Sequence, residues 1–497
     1  MLPLVELDQD EIDAIMDQVP GGATNIQDIY PLSPLQQGIY FHHLMSSPEK
    51  GDPYVLPGLL SFTSAEKRSE FIGALGFVIQ RHDVLRTCVP NEGISKQVQV
   101  VLREVQLPVE RVKIDGKGDI LAQVKQAVEP ENLYIDLERA PMLRTKIADD
   151  TGKGTYYLVL NYHHLMMDHV GLEKVVQEIL VYLSKEQGKL PPPAMYRDFI
   201  GHALEKLRSG QSREYFSKAL QNVGQVSYPF GMDDTRGDGS TRILTSKKNL
   251  PETLGEDIRR ISAKLGTSPA TLFHAAFGIV VAKCSGTRHA LFGSLLLGRL
   301  QGARGSEASL GLFINTLPLL LRPEGDLKSY IQQTKDGLQG LLEHEQTPLS
   351  KVHQWSQVPN DVPIFSALLN YRHSAPGSET ERMHRLGMQV ISGEERTNYP
   401  FNLSVDDYGK GFGITAKLAD IGIDPEKVAQ YMQGALAAMV TAIDSGERTL
   451  VDGIDILPEG ERLQLLEGFN DTKVDFPKDA TIVDLFRQRA DSAPGAI

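Results

Sequence analysis

Residues 163–169 read His-His-Leu-Met-Met-Asp-His, three imidazoles and a carboxylate within seven positions. Histidine is the side chain that takes or gives a proton near neutral pH, so this run is a candidate acid–base centre. It follows TYYLVLNY (155–162), a β-branched and aromatic stretch with the pattern of a buried strand. A helical stripe of Leu172, Val175, Val176, Ile179, Leu180 and Leu183 comes after it. The histidines thus fall where a strand end meets a helix start, a common place for a mixed sheet to deliver polar side chains. Side chains alternate along a strand. If the strand runs on through both histidines, His163 shares a face with Val159 and Asn161, and His164 the opposite face with Leu160 and Tyr162. Only one of the two looks into a given channel. A purely structural role competes with this: Asp168 caps the following helix and the histidines are satisfied in a core. The HExxH spacing is absent and no cysteine lies nearby, so no metal is expected. A carboxylate inside a fold wants a cationic partner, and Arg86, Arg144 and Arg299 are candidates that the sequence does not separate.

Four weaker features accompany this one. His42 and His43 follow PLSPLQQGIYF and are either a channel pair or ordinary helix-surface histidines. RHDVLRT (81–87) ends a helix, where its histidine and arginines are expected to be solvated. Asn315 interrupts the apolar strand pattern of GLFINTLPLLL (311–321), so it lines a site or locks a backbone. GMDDTRGDGS (231–240) lacks the phosphate-cradling pattern and reads as a surface loop.

The elements that must position these residues alternate between helix and strand grammar. Helices are expected over 64–82, 170–183, 254–265, 269–284, 327–345 and 425–445, with strands over 155–162, 289–297, 312–321, 368–371 and 403–405. GKLPPPAMYRDF, with its proline triplet, makes a stiff connection that puts a lobe boundary near residue 190. Two lobes of mixed strands and helices imply an α/β or α+β architecture. The chain has 497 residues with 51 Lys+Arg against 64 Asp+Glu, an acidic balance that argues against nucleic acid as a partner. Its two cysteines, Cys88 and Cys284, give no disulfide framework and fit a reducing, cytoplasmic setting. The longest apolar runs, such as 275–282, are too short to span a membrane.

Taken together, PLSPLQQGIYFHH (31–43), RHDVLRT, HHLMMDH, YRDF (196–199), LGLFINTLP (310–318) and PIFSALLNYR (363–372) resemble, in order, the motifs of nonribosomal peptide synthetase condensation domains. HEQTPLSKV (344–352) represents one further motif only loosely. The likeness spans about residues 28–456. Residues 1–28 resemble the linker from an upstream carrier domain, and 457–497 a linker and the start of an adenylation domain. The resemblance implies an N-terminal lobe over 29–190 and a C-terminal lobe over 191–456. Both lobes would be chloramphenicol-acetyltransferase-like, set in a V around a central tunnel.

The resemblance also implies an activity: joining a carrier-bound acyl or peptidyl thioester to the amine of a carrier-bound aminoacyl thioester. No intrinsic cofactor is expected; phosphopantetheine arms come from the upstream and downstream carrier domains. The family's catalytic histidine corresponds to His164, beside His163. Its structural salt bridge joins Asp168 to the arginine of GSLLLGRLQ, Arg299. The family pattern ends in Asp-Gly, and this chain has His169 in place of the glycine. That ending, the segment HHLMSSPEKGD (42–52) and PFGMDDTRGDGS (229–240) resemble the dual epimerisation/condensation subtype. The expectation is therefore L-to-D epimerisation of the donor residue before coupling, with His163, His169 and the His42–His43 pair as candidate second proton carriers. The alternatives are condensation alone, on a D-donor or as a starter acylation, and a silent condensation-like scaffold that recruits another enzyme.

Overall fold

A computed structural model describes residues 3–49, 51–115, 118–129, 132–221, 223, 225–232, 242–299, 309–359, 362–373, 378–393, 399–475 and 478–495. Three sheets organise them. A five-stranded sheet runs in the order Met388–Gly393, Val55–Phe62, Thr155–His163, Leu143–Asp150 and Val109–Arg111. A six-stranded sheet runs Asn315–Leu321, Ala290–Leu296, Ala367–His373, Phe401–Asp407, Phe412–Ala419 and Ile243–Asn249. A small sheet joins Ile26–Pro31, Val98–Leu102 and Thr87–Cys88. This is the mixed α/β class expected from the sequence.

The central strand Thr155–His163 is buried along its last seven residues, which is why its sequence is nearly continuously apolar. It pairs antiparallel with both neighbours, Val55 lying opposite His163 and Leu143 opposite Tyr162. The helix Ala65–Arg81 and the helix His169–Leu183 pack on each other, their apolar stripes entering one core with Leu158 and Leu160. In the second half, helix Pro269–Ser285 is buried on every side and, with helix Pro425–Asp444, covers one face of the six-stranded sheet. Each helix and strand expected from periodicity is present, with ends displaced by up to three residues.

Two features differ from the simplest reading. The first 28 residues are not all extended linker: Asp8 and Glu11 form a capping box that starts the helix Gln9–Gln18, and Ile15 and Val19 fill a small core with Cys88, Val98 and Val100. The chain also does not divide cleanly at residue 190. Tyr196, Phe199, Ile200, Leu312 and Phe313 belong to the same core as Val175 and Ile179. The strand Met388–Gly393 crosses back to pair with Val55–Phe62. The second half therefore supplies walls and an edge strand to the first.

The turn after strand Ala290–Leu296 carries Gly298 at φ +66°, and a Cβ there would lie 1.8 Å from the carbonyl oxygen of Phe313. A left-handed backbone alone costs a side chain ~1–2 kcal/mol, and the clash is with backbone that has no room to yield. Gly298→Ala should therefore lower the melting temperature by ~5 °C or more, or leave the protein insoluble. A variant that melts like the wild type would show that this turn does not hold its neighbours as described.

Candidate active site

The strand ends at His163 and the chain turns through His164–Met167 before Asp168 caps the helix His169–Leu183. The two adjacent histidines meet different fates. His163 is fully buried, with Nδ1 accepting the Leu165 amide at 3.1 Å and Nε2 lying 3.0 Å from Asp52 Oδ2. Its Nε2 therefore carries the proton and both ring nitrogens are used. His164 is half-buried. Its Nδ1 lies 3.1 Å from the Met167 carbonyl oxygen, which only an N–H can satisfy, so the lone pair sits on Nε2. The His164 amide donates to the Tyr54 carbonyl at 2.8 Å, so the main chain that carries the ring is held as well. An imidazole with one nitrogen anchored and the other open is the arrangement a general base needs.

Asp168 is fully buried. One oxygen accepts from Gly171 N–H at 2.8 Å and from an Arg299 Nη at 3.2 Å. The other accepts from the amides of Phe313 at 3.0 Å and Ile314 at 3.3 Å. Arg299 in turn donates to the Ser309 carbonyl at 2.8 Å and lies 4.0 Å over the Phe313 ring. The structure thus chooses among the three candidate cations. Buried Arg86 spends its guanidinium on Gln27 and on the carbonyls of Leu102 and Arg103, and Arg144 on those of Pro141 and Leu143.

The remaining sequence candidates scatter. His43 is buried, with Nδ1 2.6 Å from Asp52 Oδ2 and its ring stacked on Tyr134. His42 is exposed beside the Tyr54 ring, and burial of part of its ring lowers its pKa. His169 sits at the first position of its helix, exposed, with Nε2 3.1 Å from Glu173. Asn315 is a backbone lock: its amide donates to the carbonyls of Glu345 and Thr347 at 2.8 and 2.7 Å. The expectation of solvated residues in RHDVLRT is corrected, because His82 and Arg86 are both buried and His82 Nε2 meets Glu178 at 2.9 Å. Most of the glycine-rich loop 231–240 lies outside the described residues.

Asp52 closes the segment HHLMSSPEKGD, and no local pattern marks it for a role. It joins His43 and His163, and its second oxygen takes the Tyr54 amide at 2.8 Å. Burial would raise its pKa, but the hydrogen bonds from His163 and His43 outweigh this and hold the carboxyl well below the usual range. These three side chains are close enough to share a metal ion. The donor set does not suit one, because the Leu165 amide on His163 Nδ1 leaves a proton, not a lone pair, at Nε2.

Two predictions follow from these networks. Removing one member of a buried ion pair costs about 3–5 kcal/mol, because the other charge is stranded. Asp168→Ala and Arg299→Ala should each lower the melting temperature by ~10 °C or leave the protein insoluble, and the double variant should cost less than their sum. Wild-type melting in either single variant would contradict the assignment. The second prediction concerns acid. Burial lowers the pKa of His163 despite Asp52, so the folded state keeps it neutral, whereas the unfolded chain protonates it near pH ~6.5. The unfolded state then binds more protons as pH falls below that value, and stability drops. His274, pushed down to about 4 by burial, acts in the same direction. The melting temperature should therefore be lower at about pH 5.5 than at about pH 7.5, and His163→Asn should narrow the difference. No change in the wild type over this range would contradict the buried neutral state.

The comparisons with known proteins agree with this geometry. A family model described as a condensation domain matches residues 26–466. The chain is 36% identical over 499 residues to malpinin synthetase and 37% identical over 500 residues to malpibaldin synthetase, both of Mortierella alpina. It is covered completely by each match but spans only 6% and 9% of their lengths. Among solved structures, a four-domain nonribosomal peptide synthetase bound to AMP and glycine superposes with a TM-score of 0.67 at 16% identity. That match covers 88% of this chain and 34% of the other. The extent of the family match settles the kinship, and the solved structures bear out the fold: the chain belongs to the condensation-domain family.

Proposed function

We propose that this domain forms a peptide bond between an acyl or peptidyl thioester on one carrier domain and the α-amine of an aminoacyl thioester on another. The amine nitrogen attacks the thioester carbon, the C–N bond forms and the C–S bond breaks, releasing the donor carrier's thiol. The attacking amine must shed a proton, and His164 is the group to take it. The observation that carries this reading is the Nδ1–H bond to the Met167 carbonyl, which leaves Nε2 as an open base. His163, Asp168 and Arg299 position it and transfer no proton. In this reading two carrier domains deliver their substrates on phosphopantetheine arms, an adenylation domain follows residue 456, and the setting is cytoplasmic. Among the described residues no single helix is long and apolar enough to cross a membrane.

The proposal includes prior epimerisation of the donor residue, supported by the Asp168–His169 ending and the His42–Asp52 segment. Exchange at Cα needs a base on one face and a proton donor on the other. Condensation alone is the second reading, and one observation favours it: His169 is exposed and tied to Glu173.

His164→Ala should lose ~10²-fold or more in single-turnover coupling while melting like the wild type. Near-normal coupling would remove His164 from the chemistry. With an L-aminoacyl donor on its own upstream carrier in D2O, the wild type should incorporate deuterium at Cα before coupling. Coupling without incorporation would leave the condensation-only reading. His169→Gly scored for both reactions shows whether that residue serves exchange.

A further inference from the structure

Helices Pro269–Ser285 and Pro425–Asp444 cover one face of the six-stranded sheet. Leu369, Leu403, Val405, Ile414 and Ala416 point into the helical core. The alternate positions form a polar row on the other face. Register places Asn370 opposite Ser404, Ser404 opposite Thr415, and Thr415 opposite Lys247. Asn402 lies one pleat along, its Oδ1 3.5 Å from the Ser404 hydroxyl. Lys247, on the edge strand, is exposed, whereas Thr415, Ser404 and Asn370 are 8%, 6% and 9% exposed. The row therefore runs from open solvent into the interior.

The strand that carries Asn370 leads toward the helix that follows the motif. Arg372 extends the same face beyond Asn370 and pairs with Asp406 at 2.9 Å. The Glu173 carboxyl, on the helix that follows the motif, is held below its usual range first by His169 and also by Arg372. Arg382, from the segment beyond this strand, donates to Ser184 at the far end of that helix.

A buried row in a soluble core should be apolar or internally paired, because a sealed polar atom without a partner is costly. This row is paired only in part, through the Ser404 hydroxyl and Asn402 Oδ1. Asn370 Oδ1 is sealed from solvent and has no hydrogen-bond partner among the described residues, and the Ser366 hydroxyl, just before the same strand, is in the same condition. A carboxamide and a hydroxyl side by side on a pleat match the donor and acceptor of a secondary amide laid along the strands.

We propose that Asn370, Ser404 and Asn402 form a binding strip for the secondary amides of the acyl chain that reaches His164. The strip rests on the proposed function and adds to it a place and a chemistry for holding the substrate. Secondary amides occur both in a pantetheine arm and in a peptidyl backbone, and the experiment separates the two.

The test measures binding of hydrolysis-resistant probes to the full chain by calorimetry. One probe carries an aminoacyl group on pantetheine through an amide, a second carries the same group on an N-acetylcysteamine stump, and a third carries a dipeptidyl group on that stump. Asn370→Leu should weaken the pantetheine probe ~10-fold while leaving the melting temperature unchanged or higher, because a sealed acceptor has been removed. Ser404→Ala should act in the same direction and serves if the leucine variant does not fold. A loss confined to the pantetheine probe assigns the strip to the arm. A loss on both stumps that is larger for the dipeptidyl probe assigns it to the peptide. Unchanged affinity for every probe, a wild type that binds none, or a marked fall in melting temperature overturns the strip. A wild type that binds the probes yet couples no donor would sink the proposed function and leave the strip standing.

Discussion

The carboxylate of Asp168 has no contact with solvent, and the four donors that compensate it come from three stretches of chain. Gly171 lies in its own helix, Phe313 and Ile314 just before a strand of the second sheet, and Arg299 in the turn that leads toward them. A buried charge tolerates no missing partner. Its burial therefore fixes the distance between the motif turn and two segments more than 100 positions later. The turn between strand and helix has one geometry because only one geometry satisfies this oxygen pair. The His164 ring is set within that turn, by a carbonyl one residue before Asp168.

Hydrogen-bond accounting separates the two neighbouring histidines more sharply than exposure does. His163 gives up both nitrogens, one to a backbone amide and one to Asp52, and so has nothing left for a substrate. His164 gives up one and keeps the basic one. The strand ends at His163, so His164 already lies in the turn, and that turn supplies the anchoring carbonyl. Asp52 holds the arrangement from the other side: its carboxylate grips His163, and Tyr54, two residues on, accepts the His164 amide. The segment resembling a subtype motif thus has at least a structural task at this centre.

Much of this was legible in the sequence because local periodicity carries it. The periodicity of the strand before the motif and of the helix after it marks their ends to within one residue. Asp168 as a helix cap was legible for the same reason. What stayed hidden was long-range. His82 and Arg86 look solvated in RHDVLRT because nothing local supplies Glu178 or the carbonyls of 102 and 103. Asp52 looks like a loop residue until His163 comes to it from 111 positions away. The crossing strand Met388–Gly393 is short and partly exposed, and only its pairing with Val55–Phe62 makes it a strand. Composition alone did not choose among Arg86, Arg144 and Arg299; the choice came from the family resemblance, and the structure agrees with it.

The central claim is that His164 presents a basic Nε2 because its Nδ1–H is committed to the Met167 carbonyl. Long-range proton–nitrogen NMR of the histidine-labelled domain at neutral pH reads the tautomer of each ring directly. The Nδ1–H tautomer for His164, with Nε2 shifted as an unprotonated nitrogen, is the predicted result, alongside the Nε2–H tautomer for His163. An Nε2–H tautomer at His164, or a ring averaging freely between the two forms, would contradict the account.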